Sequence, residues 1–319
     1  MALTIGVAKE TAPGETRVAI APEIIRKLTK DGIRVVIESG AGTGARMPDE
    51  AFEGAEIVKS QADVLSAADV LLTVQPPTTE VVSGLREGAV VVGYMQPHRQ
   101  AEMIRAFCDK KVTSLAMELV PRISRAQSMD ALSSQAAVAG YKAVIIGAAA
   151  LDKFMPMLTT AAGTIRPAQA LVMGAGVAGL QAIATARRLG AVVSAFDVRS
   201  ATKEQVESLG ARFVDTGVSA EGEGGYAREL TDEERAAQQA ALDDFITKAD
   251  LVVTTAAVPG KPAPRLISAA VVERMQPGAV IVDLGAESGG NCELTKPGET
   301  VTHGSVTIIG PLNVPASVA

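Results

Sequence analysis

Tryptophan is absent from this 319-residue chain, and aromatic residues make up only 3% of it. Single-strand binders stack bases on aromatic faces, and nucleic-acid binders generally carry a basic stripe. A net charge of −6 and a pI near 5.2 supply neither, so no nucleic-acid partner is expected. Only two cysteines occur, Cys108 and Cys292, in apolar or turn contexts without CxxC spacing. They read as reduced structural thiols in a cytosolic setting. The two histidines, His98 and His303, stand beside no obvious carboxylate partner and in no metal-ligand pattern. No metal is expected, and His303 reads as a solvated turn residue. Long apolar runs are missing too: the longest, Ala143 to Leu151, falls well short of the ~20 residues a bilayer requires. The start "MALTIGVAKE" is a strand with charges close behind and not a signal peptide. A soluble, cytoplasmic chain without direct membrane insertion is therefore expected.

What is present is a composition of 47% hydrophobic and 21% charged residues, rich in Ala, Val and Gly, as in a packed α/β protein. The length suffices for two domains, since single cores stop growing near ~250–300 residues. Strand-like runs occupy 3–8, 34–39, 55–58, 69–74, 89–95 and 112–118, with amphipathic helical patterns between them. A long helix, Met129 to Phe154, precedes a second series at 169–175, 192–198, 211–215, 250–256, 279–285 and 306–312. Apolar strands alternating with helices mean largely parallel sheets covered on both faces. The expected fold is α/β with two doubly wound domains, the second a Rossmann dinucleotide-binding domain, joined by a long helical hinge. The boundaries are 1–127, a connecting helix at 128–154, and 155–319. The stretch "TGVSAEGEGGYARELTDEERAAQQ" reads as a loop-like intrusion whose Gly/Glu-rich first half suits mobility.

The strongest motif is "LVMGAGVAGLQAIATARRLGAVVSAFDVR". Gly174, Gly176 and Gly179 form G-x-G-x-x-G between a strand and a helix, and Asp197 ends the next strand. Gly174 permits the tight turn, Gly176 lets a pyrophosphate approach, and Gly179 lets helix pack on strand; the helix N-terminus supplies amides to phosphate. Gly174, Ala175, Gly176, Val177, Ala178 and Gly179 are therefore cofactor-binding candidates, together with Asp197, Val198 and Arg199. Asp197 would bind the ribose hydroxyls and repel a 2′-phosphate, favouring NAD(H). Arg199 leaves two roles open, accommodating that phosphate or lying over the adenine. The backbone at Ala256, Ala257 and Val258, in "TTAAVPGKPAPRLIS", would flank the nicotinamide ribose; its plainer reading is a Pro-rich turn. Asp283 and Glu287, in "VDLGAESGGN", are also expected to face the nicotinamide. Dehydrogenation of an alcohol or amine needs a proton carrier or an activating cation. Hydride exchange between two nicotinamides needs only positioning and exclusion of water.

The opening "IGVAKETAPGETRVAIAPEIIRKLTKDGIRVVIESGAG" resembles the N-terminal domain shared by alanine dehydrogenases and proton-translocating nicotinamide nucleotide transhydrogenases. The dinucleotide run, "TTAAVPGKPAPRLI" and "VTIIGPLNVPASV" extend the resemblance over essentially the whole chain. "PGKPAP" and "RAQSMDALSSQ" are similar specifically to the NAD(H)-binding component of the transhydrogenases, domain I of the alpha subunit. Alanine dehydrogenases carry an Arg, a Lys and a His for their substrate. Here Arg17 is kept, while Gln75 and Gln96 stand at the other two positions. His98 is the one nearby substitute.

The resemblance implies that Arg122, Gln127, Asp130 and Ser133 surround the dihydronicotinamide and position it without acid/base chemistry. Arg122 and Asp130 are placed to pair with one another. Tyr226, beside Gly225, matches a mobile-loop tyrosine that folds over the nucleotide. It further implies hydride transfer from NADH to NADP+, with NADP(H) held on a partner subunit, coupled to proton movement through a membrane domain. The chain would be a homodimer, inactive without its partner and peripheral at the inner membrane through it. The family's domain continues beyond "GPLNVPAS", so a shortened or truncated chain is expected. Two rival readings remain: an alanine-dehydrogenase-type enzyme, and a non-catalytic NAD-binding regulatory module.

Overall fold

A computed structural model describes residues 3–218, 231–256 and 262–318. The chain divides into two compact units, Met1–Ser134 and Gln135–Val318. The first contains β1 (Thr4–Val7), α1 (Pro22–Lys30), β2 (Arg34–Glu38), β3 (Glu56–Val58), α2 (Gln61–Ala67) and β4 (Val70–Leu72). It continues through α3 (Thr79–Gly84), β5 (Val90–Gly93), α4 (Ala101–Asp109) and β6 (Thr113–Ala116). Its strands lie in the order β3-β2-β1-β4-β5-β6 and all pair in parallel. Helix starts follow local chemistry: Pro22 opens α1, and Ser60 caps α2 in a reciprocal box with Asp63. Two buried clusters cover the sheet's faces, one around Val36, Leu71, Val91 and Phe107, the other around Val7, Ile25, Ile37 and Phe52.

Helix α5 (Ala131–Ala150) leads into the second unit. There follow β7 (Leu158–Thr160), β8 (Gly163–Ile165), β9 (Gln169–Met173), α6 (Val177–Arg188), β10 (Val192–Phe196), α7 (Lys203–Ser208) and β11 (Arg212–Phe213). The unit ends with α8 (Asp232–Lys248), β12 (Leu251–Thr254), α9 (Ala269–Val272), β13 (Val280–Asp283), β14 (Thr300–His303) and β15 (Val306–Ile309). The main sheet runs β11-β10-β9-β12-β13-β15-β14, parallel except for the β14–β15 pair. Side chains alternate between its faces: Ala170, Val172, Leu251, Val253 and Val282 join one cluster, while Leu171, Met173, Val252 and Ile281 join the other. Leu251 and Ile281 are wholly buried, each worth about 1.5–3 kcal/mol relative to exposure. Gly140, Ala143, Val144 and Gly147 of α5 recur at helical spacing and are buried. A β-carbon on Gly140 would overlap the Ala178 carbonyl oxygen, so this helix packs against the first turn of α6.

The doubly wound α/β architecture is as the sequence implies, with differences in detail. The long helix is shorter than 129–154, because Ser124–Met129 forms a 3-10 segment and α5 ends at Ala150, ahead of Pro156. The β7–β8 hairpin and the antiparallel edge strand β14 were not expected. Both are short and partly polar, without the apolar run of a central strand. The second half of the supposed intrusion is α8, capped by Thr231 and Glu234 in a reciprocal box. Among the described residues no helix is long and apolar enough to cross a membrane.

Candidate functional site

Strand order in the second unit reverses between β9 and β12, where open α/β sheets bind ligands at the strands' carboxyl ends. The turn after β9 holds the glycine motif in a form that accounts for each glycine. Gly174 has φ +103 and leaves no room for a β-carbon, which would meet Thr255 Oγ1 at 2.6 Å. Gly176 faces open space, as a ligand-approach position requires. Gly179 is buried, and a β-carbon there would overlap the Gly174 carbonyl oxygen. Helix α6 begins immediately after Gly176 and carries no acidic residue in its first turn, so its leading amides are suited to phosphate. Val177 is exposed and Ala178 half-buried at this end.

Asp197, at the end of β10, is nearly buried, its side chain 7% exposed. Its Oδ2 accepts from the Ala175 amide at 2.7 Å, and Arg199 donates through its amide, Nε and Nη2 at 2.9, 2.9 and 3.0 Å. Burial works against the Asp197 charge, but the hydrogen bonds from Arg199 and from Ala175 outweigh it and hold the carboxyl below its ordinary range. Ala175 is buried, and its amide serves Asp197. Beside Asp197 and Val198 opens a hollow of about 400 Å³, also lined by Lys203, Phe213, Asp215 and Gln238. These last four were missed from sequence. The end of β11 at Asp215 was the one available signal, since the others converge only through tertiary packing.

Across the switch point, Thr255 Oγ1 donates to the Gly174 carbonyl at 3.0 Å, tying the two loops together. Ala256 is half-buried beside it. Ala257, Val258, Gly225 and Tyr226 lie outside the described residues. Asp283 does not face a cofactor: it is wholly buried and accepts from Thr254 Oγ1, the Gly285 and Cys292 amides and Thr295 Oγ1. Position 283 ends β13 with its side chain turned inward, which the motif alone did not indicate. Glu287 is exposed and accepts from the Asn313 amide at 2.6 Å. Cys292 is buried, and burial pushes its thiol up; Cys108 is exposed rather than apolar-packed. His303 is partly exposed but lies on β14, with Nε2 3.4 Å from Glu273 Oε1, rather than in a turn.

In the first unit, Arg122, Gln127 and Asp130 line one concavity of about 210 Å³ together with Pro121, Ile123, Ser124 and Ala126. Ser133 joins them through Asp130: its amide and hydroxyl donate to the two carboxylate oxygens at 2.9 and 2.6 Å. These bonds, with the nearby Arg122 charge as a smaller contribution, hold the Asp130 carboxyl below its usual range. Asp130 thereby caps α5. The direct Arg122–Asp130 pair is not formed: Asp130 is held by Ser133, while Arg122 and Gln127 are exposed.

The first unit's own switch point lies between β1 and β4. Here Glu15 accepts from Arg17 Nε and Nη2 at 2.8 and 2.7 Å and from Gln75 Nε2 at 2.7 Å. Burial pushes the neighbouring Glu10 carboxyl up, more than the Val74 and Gln75 amides and Arg17 draw it down, and the Glu15 charge adds to the rise. Gln96 adopts φ +43, and its backbone amide donates to Glu118. The side chains of Gln75 and Gln96 are neutral amides, which transfer no proton at ordinary pH.

Comparison with known proteins agrees with this geometry. The family model described as "Alanine dehydrogenase/PNT, N-terminal domain" matches residues 6–139, and its C-terminal counterpart matches 143–319. The chain is 50% identical over 328 residues to a Rhodospirillum rubrum protein named as the first part of NAD(P) transhydrogenase subunit alpha, covering 99% of this chain and 85% of that protein. The crystal structure of a transhydrogenase from Sinorhizobium meliloti superposes with a TM-score of 0.89 at 48% identity, over 99% of this chain and 88% of that one. An L-alanine dehydrogenase structure matches at TM-score 0.81 and 27% identity, over 99% and 84%.

Proposed function

Because the chain belongs to the alanine dehydrogenase/PNT family, we propose that it is the NAD(H)-binding component of a proton-translocating transhydrogenase. NADH bound at the β9–α6 turn passes hydride directly to NADP+ held on a partner subunit, and the exchange is coupled to proton movement through a membrane domain. The observation that carries this reading is a complete dinucleotide turn combined with glutamine side chains, in place of a proton carrier, at positions 75 and 96. Arg122 and Gln127 orient the dihydronicotinamide. Asp130 and Ser133 position the same ring from beside them, and their mutual hydrogen bonds hold the start of α5. Hydride leaves NADH without a proton passing through the protein, so catalysis here is positioning.

The chain meets the membrane only through its partners, at the cytoplasmic face. A homodimer is part of this reading. Phe154 and Met157 are 53% and 64% exposed, and every residue of the β7–β8 strands is exposed. An isolated two-stranded hairpin is marginal in water, so this one, with Leu158 and Ile165 exposed, supports burial against a second copy. Mixing the chain with an NADP(H)-binding partner tests the function: NADH-dependent reduction of an NADP+ analogue is expected in the mixture and not with either component alone. Pyruvate- and ammonia-dependent NADH oxidation by the chain alone would favour an alanine-dehydrogenase reading, for which Arg17 is the remaining support.

A further inference from the structure

The peptide joining Gly174 to Ala175 is held at both of its polar ends. Its N–H, on Ala175, donates to Asp197 Oδ2 at 2.7 Å, and its C=O, on Gly174, accepts from Thr255 Oγ1 at 3.0 Å. A peptide group is planar, so its carbonyl and amide turn together, and a bond at either end orients both. Thr255 is firmly placed for this task. It follows directly on β12, and its own amide donates to the Met173 carbonyl at 2.8 Å. The Gly174 amide in turn donates to the Phe196 carbonyl at 2.8 Å.

The Thr255 hydroxyl also stands where two glycines of the motif come together. A β-carbon on Gly174 would lie 2.6 Å from Thr255 Oγ1, and one on Gly179 would lie 3.2 Å from it while overlapping the Gly174 carbonyl oxygen. That carbonyl is therefore enclosed by the first turn of α6 on one side and by Thr255 on the other. Past this peptide the chain runs into Gly176 and the leading amides of α6, where no side chain supplies a cap. Threonine suits the position, because its β-branch restricts χ1 and keeps the hydroxyl on its acceptor.

We propose that Thr255 is a positioning residue for the diphosphate of the dinucleotide. Acting through the 174–175 peptide, it fixes the direction in which α6 starts and keeps the Ala175 amide on Asp197. The carboxylate assigned to the ribose and the amides assigned to phosphate are thereby referenced to one peptide plane. This rests on the NADH-binding part of the function proposed above, and not on hydride transfer to a partner.

The test uses the full chain. Thr255→Val keeps the shape and removes the donor, whereas Thr255→Ser keeps the donor. NADH is titrated by its fluorescence, ADP and adenosine by displacing it, and unfolding midpoints are measured alongside. Loss of the hydroxyl in Thr255→Val is expected to weaken NADH and ADP alike, by about tenfold, and adenosine by less than about threefold. Thr255→Ser is expected to return NADH and ADP to within about threefold of the original chain. A merely structural residue would lower the midpoint and leave the three affinities unchanged in the folded fraction. That result overturns the proposal, as does an equal loss for adenosine or no recovery with serine. If the valine protein does not fold, Thr255→Ala takes its place in the comparison, and failure of both to fold overturns the proposal. Because binding is read without a partner, a mixture that transfers no hydride refutes the transhydrogenase reading alone. A wild-type chain that binds neither NADH nor ADP refutes both.

Discussion

Arg199 closes a fork on Asp197 two residues before it, Nε to Oδ1 at 2.9 Å and Nη2 to Oδ2 at 3.0 Å. The carboxylate proposed to bind the ribose is therefore already engaged by a partner that is half exposed. Replacing Asp197 by Asn removes charged acceptors and frees the guanidinium at once. NADH affinity is expected to fall about tenfold or more, since hydrogen bonds to charged groups are worth ~1.5–3 kcal/mol. The preference for NADH over NADPH is expected to narrow, because Arg199 is then free to meet a 2′-phosphate. Fluorescence titration with both nucleotides checks this.

Asp130 offers a way to separate capping from chemistry. Asparagine caps helices as well as aspartate does, so Asp130→Asn should keep the unfolding midpoint and lose transhydrogenation, whereas Asp130→Ala should lose both. A stable, fully active Asp130→Asn protein would reduce the residue to a cap.

Gln127→Ala is expected to leave NADH affinity within about threefold and reduce turnover with the partner at least about tenfold, the cost of a loosened reacting group. Arg122→Ala should behave alike. Paired binding and turnover measurements decide the matter; a parallel loss of affinity would mean these side chains grip the nucleotide generally.

Glu10 gives a pH dependence with a definite sign. Its carboxyl is raised above 4.5 in the folded chain, chiefly by burial. The folded state then binds the proton more tightly than the unfolded one, so stability declines as pH rises from about 4.5 through the folded value. Glu10→Gln should flatten that decline. Unfolding midpoints across a pH series, compared between the two proteins, measure it.

The dinucleotide turn was legible because strand, glycines and Asp197 lie within one contiguous stretch, each with a local reason for its place. Helix α8 was missed despite the Thr231–Glu234 box at its start, because the glycine-rich run before it gives the stretch a loop's composition. Lys203 and Gln238 were not legible, since nothing local brings them to the hollow beside Asp197. Asp283 misled for a related reason: acidic residues at strand ends face ligands or knots alike, and four donors around a buried carboxylate are visible only in three dimensions. The pairing of Asp130 with Ser133 instead of Arg122 is the converse case. An N-cap contact three residues away prevailed over a longer-range ion pair, because the helix amide offers a fixed donor and an exposed arginine does not.

The overlap of an imagined β-carbon at Gly140 with the Ala178 carbonyl oxygen bears on how sequences of this kind are compared. Position 140 admits a one-letter alphabet, although it carries no charge and no side chain. Across related chains it should vary as little as Gly174. Invariance along α5 would then record how closely two backbones meet, and would say nothing about which residues move a hydride.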